Sequence, residues 1–483
     1  MSEQIKRFQN RLVKQEQPII CRIPDEIRGK HGSAYEPKII AIGPYHRNNG
    51  GQINPGLRPM EDLKLQYLID LCKRSVNNDG RIEDALKAYT TAVQKQEVNV
   101  RRRYSESSFE MSSEDFVRMI VLDGCFIVEF LLKRGEGMVG TMPMAFELRT
   151  MPCLRRDLLL FENQIPFFIL EEILSITNHI TNYSILDLAL HYLYKKRITK
   201  EMLPEKEATK IHHLLHLSHL CLVGQLNKPK VNRRTAGTLS GHLVNNFIKL
   251  MLKSKLCLLS IAGFLFNLLT IWQWSCWRRS KISPPIMEEK SRRRKVRTIP
   301  TATRMKEAGI CFKKKETDRG FLDISFKDGV FPVMEIPSVN IQENTSSEYR
   351  NFLALEQTCK DYGNTFTSYV VLMDNLIDTV DDVALLKNNK IIESKLGCEE
   401  DVANFFNEIR AGLCFDFDQH YLGDTFELID HCCNQTYKKW RAKLMHDYLK
   451  TPWTIISLMG AFVLLALTTV QTAYSIKSFQ NGN

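Results

Sequence analysis

The chain has no Cys-x-x-Cys pair among its 13 cysteines, which removes the spacing used by zinc ribbons and thiol oxidoreductases. The scattered set from Cys21 to Cys433 reads instead as buried or free thiols in a reducing compartment. P-loop, Gly-x-Ser-x-Gly elbow, His-Glu-x-x-His and kinase signatures are all missing, so none of the chemistries they carry is spelled out. Gly135, Gly137 and Gly140 do spell G-x-G-x-x-G, but they follow an expected helix rather than a strand, and Pro143 interrupts any helix starting there. No repeat of 20–50 residues runs along the chain, which argues against a solenoid. The N-terminal stretch MSEQIKRFQNRLVKQEQPII is charged throughout and lacks an apolar run, so no cleavable signal peptide is expected. Ser2 stands where a myristoylation signal needs Gly.

What is present is first of all an ordinary globular composition. Of 483 residues, 44% are hydrophobic and 25% charged, enough to bury a sizeable core. The net charge of +11 is local, collecting in Arg101–Arg103, in Lys313–Lys315 and between Arg278 and Arg297. Such runs read as solvated faces or contacts to anionic lipid rather than nucleic-acid sites.

Near the end lies an uncharged stretch of 22 residues, Trp453 to Tyr474. As a helix it would reach about 33 Å, enough for a hydrocarbon core of about 30 Å. Trp453 and Tyr474 would sit at the two interfaces, with Leu458, Phe462, Leu464 and Leu465 between them. Lys438, Lys439, Arg441, Lys443 and Lys450 precede it and only Lys477 follows. That bias predicts a single-pass membrane protein with a cytosolic body, membrane lipid as one partner, and either plasma membrane or endomembrane as its place. A second uncharged run, Leu256 to Trp277, reads as an interfacial helix, a buried or irregular insert, or a true span.

Helical spacing is expected from Glu61 onward, over Phe116–Lys133, Ile185–Tyr194, Thr209–Leu222, Ser347–Tyr362, Thr367–Asp378, Asp381–Lys387 and Glu399–Ile409, and from about Tyr421 toward the end. Phe321–Ile341 alternates roughly with Gly329 at a turn, predicting a small β-hairpin or ribbon. Asn77–Ser113 and Arg278–Arg297 show no apolar period and read as loops. The polar triplet Glu162-Asn163-Gln164 sits between apolar blocks, so its side chains should tie neighbouring elements together. His212, His216 and His219 share a helical face at metal-compatible spacing, but no acidic ligand is near, and packed histidines are the expectation.

The fold class that follows is mainly α: a multi-helix body with a small β-hairpin and a C-terminal transmembrane helix. Residues 1–20 form a charged tail and 21–450 the body, broken by an apolar and basic insert at about 229–297. The anchor spans 453–474, and 475–483 is a short tail.

Several blocks occur in a characteristic order: Ile23-Pro24 with AYEPKIIAIGPYH at Ala34–His46, Met60–Lys64, DGCFIVEFLLK at Asp123–Lys133 and Asp157–Phe168 around ENQIPFF. They continue with His212–Leu217, Ala302–Lys313, RNFLALEQ at Arg350–Gln357, Leu372–Leu386 and a closing block from Pro452. Together they resemble one plant family, the domain-of-unknown-function 247 proteins. The resemblance implies a helical body, a C-terminal membrane helix and no assigned enzymatic activity; some members at grass self-incompatibility loci look like recognition determinants. Pro24, Tyr35, Gly43, Pro44, Tyr45, His46, Asp123, Gly124, Glu162, Asn163, Gln164, Pro166 and Pro452 carry the resemblance and are read as structural. No catalytic, cofactor or metal residue is assigned. The expectation is a membrane-anchored recognition or protein-interaction module with an unknown protein partner, not an enzyme; a membrane-bound, hydrolase-like enzyme with an unrecognised site is the alternative.

Overall fold

The computed structural model describes residues 18–47, 54–76, 81–105, 111–137, 144–177, 183–194, 211–226, 298–329, 331–417 and 420–435, with short pieces between 457 and 475. The first half is built from α1 (Arg58–Ser75), α2 (Ile82–Arg102), α3 (Ser113–Gly135), α4 (Met144–Asp157), α5 (Phe167–Thr177), α6 (Ile185–Tyr194) and α7 (Leu214–Leu226). Helix α3 is its axle. Buried residues make up 16 of its 23, and it packs against α1, α2, α5 and α6. Its start is fixed by Ser112, whose side chain accepts from the Asp115 N–H. At Gly124 α3 and α5 approach so closely that a Cβ would lie 2.5 Å from the Ile173 methyl.

The second half adds α8 (Ala302–Glu307), α9 (Thr345–Thr358), α10 (Thr365–Leu376), α11 (Val380–Asn388), α12 (Glu399–Ile409) and α13 (Gly423–Asn434). Glu356 of α9 organises it. Its two carboxylate oxygens accept from Phe366 N–H at 2.9 Å and Thr367 N–H at 2.7 Å, the orphan donors of the first turn of α10. The same group meets the His219 ring of α7 at 2.7 Å.

The expected hairpin is present as β2 (Ser325–Lys327) antiparallel to β3 (Val333–Ile336), and β1 (Cys311–Lys314) adds in parallel on the other side of β3. A second small sheet pairs β4 (Val339–Ile341) with β5 (Ile392–Ser394) in parallel. The protein is therefore mainly helical with a few small sheets.

Two expectations are corrected. Asn77–Ser113 is not a loop: Ala85, Tyr89, Val93 and Val100 of α2 are buried along a narrow stripe against α3. Arg101, read there as a free loop cation, is bound to Glu97 at 2.8 Å and lies 3.9 Å over the Phe116 ring. More far-reaching, no helix among the described residues is long and apolar enough to cross a membrane. The C-terminal transmembrane helix is thus not supported, and the single-pass location with its cytosolic orientation falls with it. Leu464 and Leu465 are exposed helical residues; Trp453, Leu458, Phe462, Tyr474 and Pro452 lie outside the described residues. So do Leu256–Trp277 and Arg278–Arg297.

Residues 1–228 and 296–434 form one compact unit, and residues 229–295 with 435–483 a second. A single apolar cluster in the first unit runs from Ile19 to Cys433. Co-expressed fragments 1–228 and 296–483 should therefore associate and melt in one transition, while each alone shows no cooperative unfolding. Independent melting of either fragment in calorimetry would contradict a shared core.

Candidate functional site

Residues 38–43 run inward from the surface, buried from Ile40 onward, without a strand partner, so their backbone groups need other acceptors and donors. Side chains supply them. Asp157, at the end of α4, accepts from the N–H groups of Lys38 at 2.9 Å, Ile39 at 2.8 Å and Ile40 at 3.2 Å. Asn163 behaves like a strand edge: its Oδ1 accepts from Ile42 N–H at 2.6 Å and its Nδ2 donates to Ile40 O at 3.0 Å. Asp123 of α3 accepts from Gly43 N–H at 2.9 Å, and Lys64 bridges Asp123 at 2.6 Å and the Ala41 carbonyl. Arg156 donates to the carbonyls of Ser33 and Glu36.

The rest of the motif residues gather around this clasp. Glu162 accepts from Ile23 N–H at 2.7 Å and from Arg28 through both oxygens, so Pro24 and the α-turn Asp25–Arg28 are held against it. Gln164 donates to the carbonyls of Leu158 and Leu160. Gly43 has φ +70°, and a Cβ there would lie 2.7 Å from the Gln164 carbonyl, so no other residue fits. Pro44 closes the turn that accepts Arg47 N–H at 3.2 Å, and the Tyr45 hydroxyl donates to Ile20 O at 3.0 Å. Pro166 starts α5, with Phe167 N–H donating to His212 O at 2.7 Å. Burial pushes the Asp157 carboxyl up, against the pull of the three N–H groups and Arg156. Burial likewise presses His46 down to about 4, helped by Arg22 and Arg28.

The histidines of α7 serve its N-terminus. His213 Nδ1 accepts from His216 N–H, an N-cap geometry, and His216 Nδ1 accepts from His212 N–H, both at 3.2 Å. His212 Nδ1 meets the Tyr362 hydroxyl at 2.6 Å. Both acceptor roles require an unprotonated Nδ1. Burial holds His213 down at about 3 and His216 at about 2, each lowered further by neighbouring histidines.

The clasp is closed to solvent, and its chemistry is architectural. An open cavity of about 700 Å³ lies elsewhere in the same unit. Its deeper wall is Leu159, Arg156 and Thr345, all under a tenth exposed. Its other lining residues include Arg134, Met151, Arg155, His191, Tyr192, Asn340, Gln342, Asn344 and Glu348. Arg155 faces Glu348 through two contacts of 3.3 and 3.4 Å. The Tyr192 hydroxyl is buried without a hydrogen-bond partner among the described residues, and burial pushes its pKa up. None of these residues belongs to the motif blocks apart from Arg156 and Leu159 beside Asp157, and their order in the chain gave no sign that they meet. Among the described residues no group of three or more His, Cys, Asp or Glu could hold a metal.

Two measurements check this account. Asn163→Ala should lower stability by about 1–3 kcal/mol, because Ile42 N–H and Ile40 O would be left buried and unpaired; denaturant unfolding reads it. The α7 histidines set a pH dependence. Their folded pKa values lie below the ordinary 6.5, so the unfolded chain binds protons that the folded one refuses. Stability is full above pH 6.5 and falls as pH drops toward the folded values. His213→Asn keeps a capping oxygen, and should flatten the stability slope between pH 6.5 and 5 by about 1.4 kcal/mol per pH unit. An unchanged slope would show that His213 is already protonated in the fold.

A family model for plant proteins of unknown function, DUF247, matches residues 20–467. The chain is 27% identical over 467 residues to UPF0481 protein At3g47200 of Arabidopsis thaliana, covering 96% of this chain and 87% of that one. It is 23% identical over 502 residues to Putative UPF0481 protein At3g02645 of the same plant, covering 94% and 89%. No solved structure matches significantly.

Proposed function

The chain belongs to the plant DUF247 family of unknown function, and from that premise we propose that it is a protein-recognition module whose binding face is the cavity around Arg155 and Tyr192. One observation carries the reading. The cavity combines an apolar and aromatic part (Met151, Leu159, Tyr192) with a polar and charged rim (Arg134, Arg155, Asn340, Gln342, Glu348). That is the make-up of a pocket receiving an anchor side chain of a partner, where Tyr and Arg dominate the energetics. Three arginines line it against one glutamate, so an acidic segment is the best electrostatic match. The buried carboxylates and histidines of the clasp, by contrast, are engaged by backbone groups and supply a rigid frame.

A photo-cross-linking residue at Gln342 of the full chain, expressed in plant tissue, tests this. A partner peptide should be cross-linked there, and Arg155→Ala should reduce its yield at least tenfold with the melting temperature little changed. Yield indifferent to Arg155→Ala would remove the cavity from recognition. A turnover found in the purified protein and abolished by Tyr192→Phe would replace the reading with an enzymatic one.

A further inference from the structure

Arg350 of α9 is 3% exposed, yet no carboxylate among the described residues lies within ion-pair distance of it. Other buried charges among the described residues are ion-paired: Lys64 with Asp123, Arg156 with Asp157, Glu162 with Arg28. The Arg350 Nε is buried without an acceptor. Burial pulls its pKa down, against the Tyr35 hydroxyl and the Glu408 carboxylate, which both favour its charge. An arginine does not escape burial by losing its proton. A guanidinium met only by a hydroxyl and by a carboxylate beyond ion-pair distance keeps donors open to a closer anion.

The space for that anion is there. Arg350 lines a pocket of about 250 Å³ whose other walls include Ser346 of α9, Asp401, Asn404 and Glu408 of α12, and Glu343. The pocket is separate in lining from the larger cavity, sharing only Gln342. A guanidinium presents two parallel N–H groups matched to a carboxylate or a phosphate. The acids decide between them. Glu408, already 3.2 Å from His31, and Asp401, which caps α12 through Cys398 N–H at 3.2 Å, would repel a dianion but attract a donor group carried beside a single negative charge.

We propose that this pocket binds a small organic monocarboxylate bearing an amino or hydroxyl group on the adjacent carbon, with the carboxylate on Arg350 and the donor toward Glu408 and Asp401. The volume admits a molecule of a few heavy atoms beyond the carboxylate and excludes a drug-sized ligand. The RNFLALEQ block then has a ligand-binding role through Arg350 as well as a packing one, with Tyr35 of the AYEPKII block beside that guanidinium.

The full-length protein titrated with glycine, lactate, acetate and inorganic phosphate, by calorimetry and thermal shift, tests the assignment. Glycine or lactate should raise the melting temperature in a saturable way, acetate at least tenfold more weakly, and phosphate not at all. Arg350→Met, which keeps the length and removes the charge, should abolish the saturable shift while leaving the unliganded protein as stable as before or more so. Glu408→Gln should weaken glycine at least fivefold and leave acetate unchanged. Phosphate binding as well as the carboxylates would overturn the assignment of a monocarboxylate. Binding that survives Arg350→Met, or no shift with any of the four at millimolar concentration, would overturn the site, as would an Arg350→Met protein that is markedly destabilised, since Arg350 would then be a structural partner of Tyr35.

Discussion

A backbone that runs into the interior without a strand beside it must find its hydrogen bonds in side chains, and the segment 38–43 does so through Asp157, Asn163 and Asp123. That requirement shapes much of the first unit. It fixes where α3 and α4 can lie, since each contributes a carboxylate to the same run of N–H groups. It explains why Lys64 and Arg156 are buried at all: each balances one of those carboxylates and takes up a carbonyl of that segment or just before it. An apolar substitute at any of these positions would leave several backbone groups dry and unpaired at once.

The second half repeats the device at a helix end. Glu356 answers two orphan N–H groups of α10 and a histidine of α7, and Asp382 does the same for Thr303 and Thr379 at the start of α8 and α11. Several of the buried charges are therefore spent on backbone groups. Buried ions held this way contribute little net stability but specify one arrangement, because any shifted packing strands a charge. Arg350 stands apart from the pattern, and the contrast is what singles it out.

Much of this was legible in the residues, and the limits were physical. Ile185–Tyr194 and Glu399–Ile409 form helices over the span that their apolar spacing indicates. The triplet Glu162–Gln164 was legible as a tie because three polar residues between apolar blocks must be satisfied somewhere; that Glu162 and Asn163 meet backbone more than a hundred residues away was not. Helix α2 escaped notice because only Ala85, Tyr89, Val93 and Val100 face inward, a stripe too thin to stand out in a charged run. The C-terminal stretch invited a membrane reading because hydropathy counts residues, whereas a span needs an unbroken helix of sufficient length, and none is found among the described residues. The large cavity and the Arg350 pocket draw on residues from distant blocks, and no local pattern announces such meetings.

The clasp also dictates an order of events as the chain is made. Residues 38–42 bond to Asp157 and Asn163 across 117 to 123 positions, and Ala34 waits for Ser347 and Asn351, 313 and 317 positions further on. A ribosome adding about 5–20 residues per second therefore leaves the first of these partners unmade for roughly ten seconds, and the second for longer. During that interval the apolar run Ile39–Ile42 has no native cover. The N-terminal segment of this protein is thus a natural client for holding factors at the ribosome exit, and its burial is completed only after most of the chain has emerged.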